Sequence, residues 1–293
     1  MAEWSSRVQN ALAALPRSPA SAEALEVAGL TGSEWALLVY CFLNEPPFTL
    51  DDLRCWLPYT SDALLGRWLK ELLATLNVQR VADGDLIVTD KGVALVQEWC
   101  RNGRGLLARR HPLPRAALKA LADGLEQVVT AALETPTVRT IRLFGSRRLA
   151  FEPQTSVMVR IDQALTDLHH FRDDCHTTAW SAQGLSGPEI EMLTLLWRGE
   201  AKDVGSLVAV LRELRGHEAE QVARIAQRLA RRGLIELDGE SAELTVAGRR
   251  MRDDIEAATD RNYMPPWTVL PPPQLQDLGQ LLARFTQSLS RCS

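Results

Sequence analysis

A six-residue segment, Gly29-Leu30-Thr31-Gly32-Ser33-Glu34, returns 155 positions later as Gly184-Leu185-Ser186-Gly187-Pro188-Glu189. Both copies carry a hydroxyl residue followed three positions later by a glutamate. That spacing lets two side chains satisfy the exposed amides of a helix start. An apolar helical face follows each copy, through Trp35, Leu38, Val39 and Phe42, and through Ile190, Leu193, Leu196 and Trp197. The copies converge again about 60 residues on, where Val88-Thr89-Asp90-Lys91-Gly92 matches Leu244-Thr245-Val246-Ala247-Gly248. A second helix near 50–57 or 204–214 and a third near 61–76 or 218–232 fill the interval. A hairpin then closes each copy, with Ala82-Asp83-Gly84-Asp85 and Asp238-Gly239-Glu240-Ser241 as turns. Asp-Gly supplies the positive φ that a tight turn requires. Three helices, a two-stranded wing and a closing helix describe a winged helix, so the sequence predicts a mainly α chain with tandem winged-helix domains.

Between and around the copies the pattern stays helical. The expected division is residues 1–30 as an N-terminal helix, 31–100 as the first winged helix, and 101–183 as a basic linker and helical joining region. Residues 184–267 form the second winged helix, and 268–293 a Pro-rich turn and C-terminal helix. Arg101–Pro114, with its glycines, arginines and prolines, reads as linker. Helices are expected over 115–133 and from about 156 to 180, while 135–155 fits no single period. Amphipathic stripes at Trp4–Leu15 and Leu275–Leu289 either cover the core or join two subunits, which leaves monomer and homodimer both open.

Net charge restricts the partners. The chain carries −4 overall, which does not suit a surface that grips phosphate everywhere. Residues 101–150 nevertheless hold ten Lys or Arg against three Asp or Glu, +7, leaving −11 elsewhere. The third helix of the second copy offers Gln221, Arg224, Gln227, Arg228 and Arg231, side chains suited to base edges. Arg101, Arg104, Arg109 and Arg110 are the candidate phosphate contacts. DNA is therefore the expected partner, with a protein or small-molecule partner as the alternative. Acidic residues at the wing tips and Glu218 and Glu220 at the helix start oppose phosphate.

The second copy also resembles a known family. Gly184–Glu189, Leu244-Thr245-Val246-Ala247-Gly248-Arg249-Arg250 and Asp254-Ile255-Glu256-Ala257-Ala258-Thr259-Asp260-Arg261 are similar to a bacterial, actinobacterial-type helix-turn-helix family that has no assigned activity. They resemble multiple-antibiotic-resistance-type winged-helix regulators more distantly. The likeness is specific over about 165–267. It implies a winged-helix fold and carries no catalytic residues.

Sites for chemistry are thin. No apolar run reaches the ~18 residues of a membrane span, the first residues do not form a secretory signal, and a cytoplasmic location is expected. Cys41, Cys55, Cys100, Cys175 and Cys292 are scattered and read as free thiols. His169, Asp173 and His176 share one helical face and are metal-ligand types, but no second helix completes a set, so no metal or cofactor is expected. Leu143-Phe144-Gly145-Ser146-Arg147-Arg148 resembles the phosphate-binding turn of nucleotidyltransferases without the carboxylate pair that two-metal chemistry needs. A ligand pocket lined by Trp99 or Trp180 is the remaining candidate. The expectation is a non-enzymatic, DNA-binding transcriptional regulator, with a metal enzyme centred on His176 as a minor alternative.

Overall fold

The computed structural model describes residues 2–15, 25–26, 28–150 and 156–291. Cys292, residues 16–24 of the expected N-terminal region and residues 151–155 lie outside the described residues. In chain order the helices are α1 (Ala2–Ala14), α2 (Gly32–Leu43), α3 (Leu50–Trp56) and α4 (Asp62–Ala74). Strands β1 (Val78–Arg80) and β2 (Leu86–Val88) precede α5 (Asp90–Ala108), α6 (Arg115–Leu133), α7 (Ile141–Ser146) and α8 (Val157–Ser181). Then come α9 (Gly187–Arg198), α10 (Val204–Arg215), α11 (Ala219–Arg231), β3 (Ile235–Asp238), β4 (Ser241–Leu244), α12 (Val246–Tyr263) and α13 (Pro272–Ser290). The fold is mainly helical with two antiparallel two-stranded sheets, β1–β2 and β3–β4. Both hairpins fall where the sequence places them, with Val78 opposite Val88 and Ile235 opposite Leu244.

The chain forms two compact units. Unit 1 comprises Met1–Thr49, Glu71–Cys175 and Asp260–Ser293; unit 2 comprises Leu50–Lys70 and His176–Thr259. In unit 1, α6 and α8 bury Leu118, Leu121, Leu125, Val128, Ile161, Leu165, Leu168 and Phe171. These positions recur at helical spacing, so each helix turns one apolar stripe inward. Val8, Ala11 and Leu12 of α1 and Leu278, Leu282 and Phe285 of α13 join the same core. The terminal helices thus cover the core of their own unit, and Trp4 stacks on the buried Trp267 with ring centroids 4.4 Å apart.

The stretch of ambiguous period becomes α7, and its anchors are polar. Asp174 of α8 accepts from the amides of Arg142 (3.1 Å) and Leu143 (3.0 Å), filling the start of α7. Asp167, one side of α8 further back, accepts from Ser146 Oγ at 2.7 Å, Arg147 Nη1 at 2.9 Å and Gln163 Nε2 at 2.8 Å. Burial pushes the Asp174 carboxyl up to about 6 against the pull of those two amides. The residues that resemble a phosphate-binding turn are therefore spent on internal bonds: Ser146 and Arg147 hold Asp167, and Arg148 donates to the Phe42 carbonyl.

In unit 2, α9, α10, α11 and the β3–β4 hairpin enclose Leu193, Leu207, Leu211, Val222, Ile225, Leu229, Ile235 and Ala242. The order helix, helix, helix, hairpin, helix is the one also followed by α2 through α5, and the local bonding repeats. Thr89 Oγ1 donates to the Leu76 carbonyl at 2.7 Å, and Thr245 Oγ1 to the Gly233 carbonyl at 2.7 Å. Each threonine then caps the following helix by accepting from Gly92 N (3.3 Å) or Gly248 N (2.9 Å).

Candidate nucleic-acid interface

The third helix of the second run, α11, is built to show one polar face. Val222, Ile225, Ala226 and Leu229 are buried at i, i+3, i+4 and i+7, which fixes what the opposite side presents. Arg224, Gln227 and Arg231 are exposed on that opposite side, spaced i, i+3 and i+7. The other two residues expected to read bases are engaged within the fold. Gln221 Oε1 accepts from the Glu218 amide at 2.9 Å, closing a capping box at the start of α11. Arg228 Nε donates to Glu189 Oε1 at 3.0 Å, where the carboxylate side chain is only 8% exposed.

Glu189 is the third residue of the cap on α9, and it also accepts from Ser186 N (2.8 Å) and Ser186 Oγ (2.7 Å). Burial acts to raise its carboxyl, but these donors and the Arg228 guanidinium outweigh burial and hold it below the usual range. Arg228 thus serves as the clasp between α11 and α9. The i, i+3 spacing of Glu218 and Gln221 was the available sequence signal for the cap. The Glu189–Arg228 pair left none, being 39 residues apart.

The arginines expected in a linker sit elsewhere. Helix α5 runs on to Ala108, so Arg101 and Arg104 are helical; Arg101 donates to Gln97 Oε1 at 3.3 Å and Arg104 to the Leu149 carbonyl. Gly103 and Gly105 stay in the helix with nothing near their Cα faces, and Leu107 is drawn into the core of unit 1. Arg109 and Arg110, just past the helix end, are exposed. All four belong to unit 1, whereas α11 belongs to unit 2.

The turn that precedes α11 is covered, while Glu218, Ala219 and Glu220 at the helix start are exposed. The turn between α3 and α4 lies against the turn between α10 and α11, both within unit 2. Ser61 N donates to the Arg215 carbonyl at 2.8 Å, and Ser61 Oγ to the Gly216 carbonyl at 2.7 Å. His217, 5% exposed, brings Nε2 to 2.8 Å from the Tyr59 carbonyl oxygen. The Arg215 guanidinium lies over the Tyr59 ring, 5.4 Å from its centroid, and is itself fixed by Glu191 at 2.8 Å. Two glycines permit this approach. A Cβ on Gly187 would overlap the Pro58 carbonyl, and one on Gly216 would come within 2.6 Å of Leu64 Cβ.

The remaining candidates assemble less. His169 Nε2 is 3.7 Å from Asp173 Oδ2, whereas His176 Nδ1 is 3.2 Å from Thr259 Oγ1 and 3.8 Å from Glu256. Among the described residues no group of three or more His, Cys, Asp or Glu side chains is placed to hold a metal ion. Cys41 and Cys175 are buried free thiols whose pKa burial raises. Trp99 lines a cavity of about 140 Å³ in unit 1 with Leu107, Leu149, Val159 and Gln163. Among the described residues no helix is long and apolar enough to cross a membrane.

A family model described as a helix-turn-helix family matches residues 78–291. The chain belongs to that family. The match takes in the β1–β2 hairpin, α5 and the whole of the second run, so α11 lies well inside the helix-turn-helix family's span. Membership of a helix-turn-helix family points to DNA binding in general. Comparison with curated proteins and with solved structures finds no match.

Proposed function

We propose that this protein is a non-enzymatic, cytoplasmic, winged-helix transcriptional regulator that contacts duplex DNA through the outward face of α11. Both helix–hairpin runs are taken as winged helices, in keeping with the likeness to multiple-antibiotic-resistance-type regulators. One observation carries the reading: in a helix-turn-helix family protein, the third helix presents Arg224, Gln227 and Arg231 together, exposed and one turn apart. Arginine and glutamine are base-reading side chains, and helix periodicity puts these three on one line. Arg109 and Arg110 are the better phosphate contacts among the basic residues, since Arg101 and Arg104 already serve bonds within unit 1. Gln221 and Arg228 support the reading helix rather than read.

The test is a fluorescence-anisotropy titration at low salt of the duplex upstream of the protein's own gene, against a random duplex. Arg224→Ala should cost about 1–3 kcal/mol on the preferred sequence and relax its preference, whereas Arg109→Ala should weaken both duplexes alike. Absence of any preference for the upstream duplex in every variant removes the regulator reading.

A second reading, a winged-helix module that binds another protein, is favoured by one observation. The hairpin tip of each run is acidic, Asp83 and Asp85 in the first and Asp238 and Glu240 in the second, which does not suit a phosphate-binding wing. Pull-down of a protein partner that survives Arg224→Ala, with no DNA preference, would put this reading first.

A further inference from the structure

The two runs treat one piece of space differently. Counted from the matching glycines, Phe42 of α2 corresponds to Trp197 of α9, and Gln97 of α5 to Asp253 of α12. In the second run the Trp197 indole Nε1 donates to Asp253 Oδ1 at 2.9 Å, and the Arg252 guanidinium lies over the same ring, 4.9 Å from its centroid. Those side chains tie the first helix of the run to the last. In the first run Phe42 has no polar atom with which to form that bridge. Phe42 and Gln97 instead line a cavity of about 390 Å³ within unit 1. That volume lies in the range of small-molecule sites, about 300–1,000 Å³.

The walls follow from the chain path. Helix α2 stops at Leu43, and Phe48 then pairs with Leu86 of β2, its amide 2.9 Å from the Leu86 carbonyl oxygen. Phe48 and Val88 therefore line the cavity from the loop and the strand, and Val93 and Gln97 from α5, one turn apart. Cys41 adds a buried thiol that burial keeps neutral. Arg148, from the turn after α7, is the one charged side chain among the described lining residues. Its Nε donates to the Phe42 carbonyl at 2.9 Å, and its Nη1 lies 2.9 Å from Oε1 of Glu45, whose side chain is 88% exposed. Asn44 is committed to the Tyr40 carbonyl at 2.9 Å, and Gln97 Oε1 accepts from Arg101. Arg148 Nη2 and Gln97 Nε2 make no hydrogen bond among the described residues.

We infer that this cavity binds a small monocarboxylic acid with an apolar body. The two unspent polar groups are both donors, so the ligand has to bring an acceptor. One donor belongs to a guanidinium, which favours an ionised acceptor. The other walls are aromatic, aliphatic and thiol surface, which favours hydrocarbon for the rest of the ligand. An amine would meet the like charge of Arg148. A phosphate ester would bring about two charges and three acceptor oxygens against two donors, beside walls that do not solvate it. Glu45 is a weak competitor, because an ion pair with so exposed a partner contributes little. The inference stands apart from the DNA reading, since no lining residue belongs to α11.

The test is isothermal titration of the full chain with octanoate and with 1-octanol, which share an apolar body and differ in the head. Octanoate should bind saturably at one site per chain and about tenfold more tightly than octanol, the difference a charge-assisted hydrogen bond makes. Arg148→Met should remove that advantage while octanol binding persists, which shows the cavity intact. Glu45→Gln should tighten octanoate about twofold by removing the competing carboxylate. Phe42→Trp combined with Gln97→Asp installs the pair of the second run and should abolish binding of both probes. If a thermal melt shows that double variant unfolded, Val93→Phe fills the same space and takes its place. If Arg148→Met loses both probes, Glu45→Gln carries the charge test, and unchanged octanoate affinity there overturns the assignment. Equal affinity for the two probes, or an octanoate affinity indifferent to Arg148→Met, overturns the carboxylate. No saturable octanoate binding, or binding that survives a folded cavity-filling variant, overturns the site.

Discussion

The two helix–hairpin runs share their joints and differ in what those joints support. In both, a threonine after the second strand ties the hairpin to the end of the third helix, through Thr89 to the Leu76 carbonyl and Thr245 to the Gly233 carbonyl. In both, the third helix ends on the same bonding: Asn77 N donates to the Leu72 carbonyl and Leu234 N to the Leu229 carbonyl, each at 3.0 Å. The helices between those joints have diverged. Where α11 shows Arg224, Gln227 and Arg228, α4 has Arg67, Lys70 and Glu71, and the Arg228–Glu189 clasp has become Glu71 and a half-buried Glu34. The joints persist because a hairpin can leave a helix in few ways, whereas the outward face answers to a partner. The first run keeps the frame of the second while its third helix carries a different set of outward residues.

The strongest way to break the equivalence is at the glycines that follow the threonines. A Cβ on Gly248 would overlap the Leu234 carbonyl, and one on Gly92 the Asn77 carbonyl; both obstacles are backbone and cannot swing aside. Gly248→Ala and Gly92→Ala should each cost on the order of 3 kcal/mol, at the upper end of overpacking effects. Urea unfolding checks this, and a small loss for one glycine beside a large loss for the other would show that the joints are not alike.

A smaller effect is expected where the runs differ at one special backbone position. Gly233 has φ 69, and its counterpart Leu76 has φ 57 with its side chain 67% exposed. A non-glycine residue in this left-handed region carries about 1–2 kcal/mol of strain. Leu76→Gly should therefore stabilise the protein by about 0.5–1 kcal/mol, once the extra freedom of glycine in the unfolded chain is subtracted. Gly233→Leu should destabilise it by about 0.5–1 kcal/mol on the same reckoning. A thermal melt of both variants decides the matter; destabilisation by Leu76→Gly would mean that the Leu76 side chain makes a contact worth more than its strain.

The smallest effect sharpens the comparison of the caps. Glu189 has its carboxyl depressed below the ordinary glutamate value by Ser186 and Arg228. A depressed folded-state value means that the contribution is complete above the unfolded glutamate pKa, about 4.3, and is lost as the pH falls through the lower folded value. Below about pH 4 the wild type should lose stability that Glu189→Gln no longer has to lose, by up to ~1 kcal/mol because Arg228 is half-exposed. Parallel acid limbs for the wild type and Glu189→Gln would reject the proposed role of Arg228 in the second cap.

What was legible in the sequence is what local chemistry dictates. The caps at Thr31 and Ser186, the Asp-Gly turns and the threonines at 89 and 245 act over three or four residues and therefore leave short signatures. The length of α5 was hidden because Gly103, Gly105 and two arginines have the composition of a linker, whereas Leu107 is buried in the core and Arg104 bonds to the Leu149 carbonyl, 45 residues away. Helix α7 was hidden because its inward side is held by Asp167 and Asp174 instead of an apolar stripe. At the candidate site, the exposed face of α11 could be read from periodicity. Gln221 and Arg228 were grouped with it because a polar residue on a helix looks available until its partner is found. The Ser61–Gly216 contact, 155 residues apart, has no local trace apart from the glycines that make room for it.

Dimeric helix-turn-helix proteins place two recognition helices about 34 Å apart, so that each meets the major groove on successive turns of the same side of the duplex. The pairing of turns in unit 2 joins Ser61, just ahead of α4, to Gly216, three residues ahead of α11, with 2.7 Å between Ser61 Oγ and the Gly216 carbonyl oxygen. If both runs are winged helices as proposed, one chain would not be a ready-made dimer straddling a palindrome. An operator with two half-sites would be occupied by two chains, each lending one helix, and footprints should count half-sites by chains rather than by motifs.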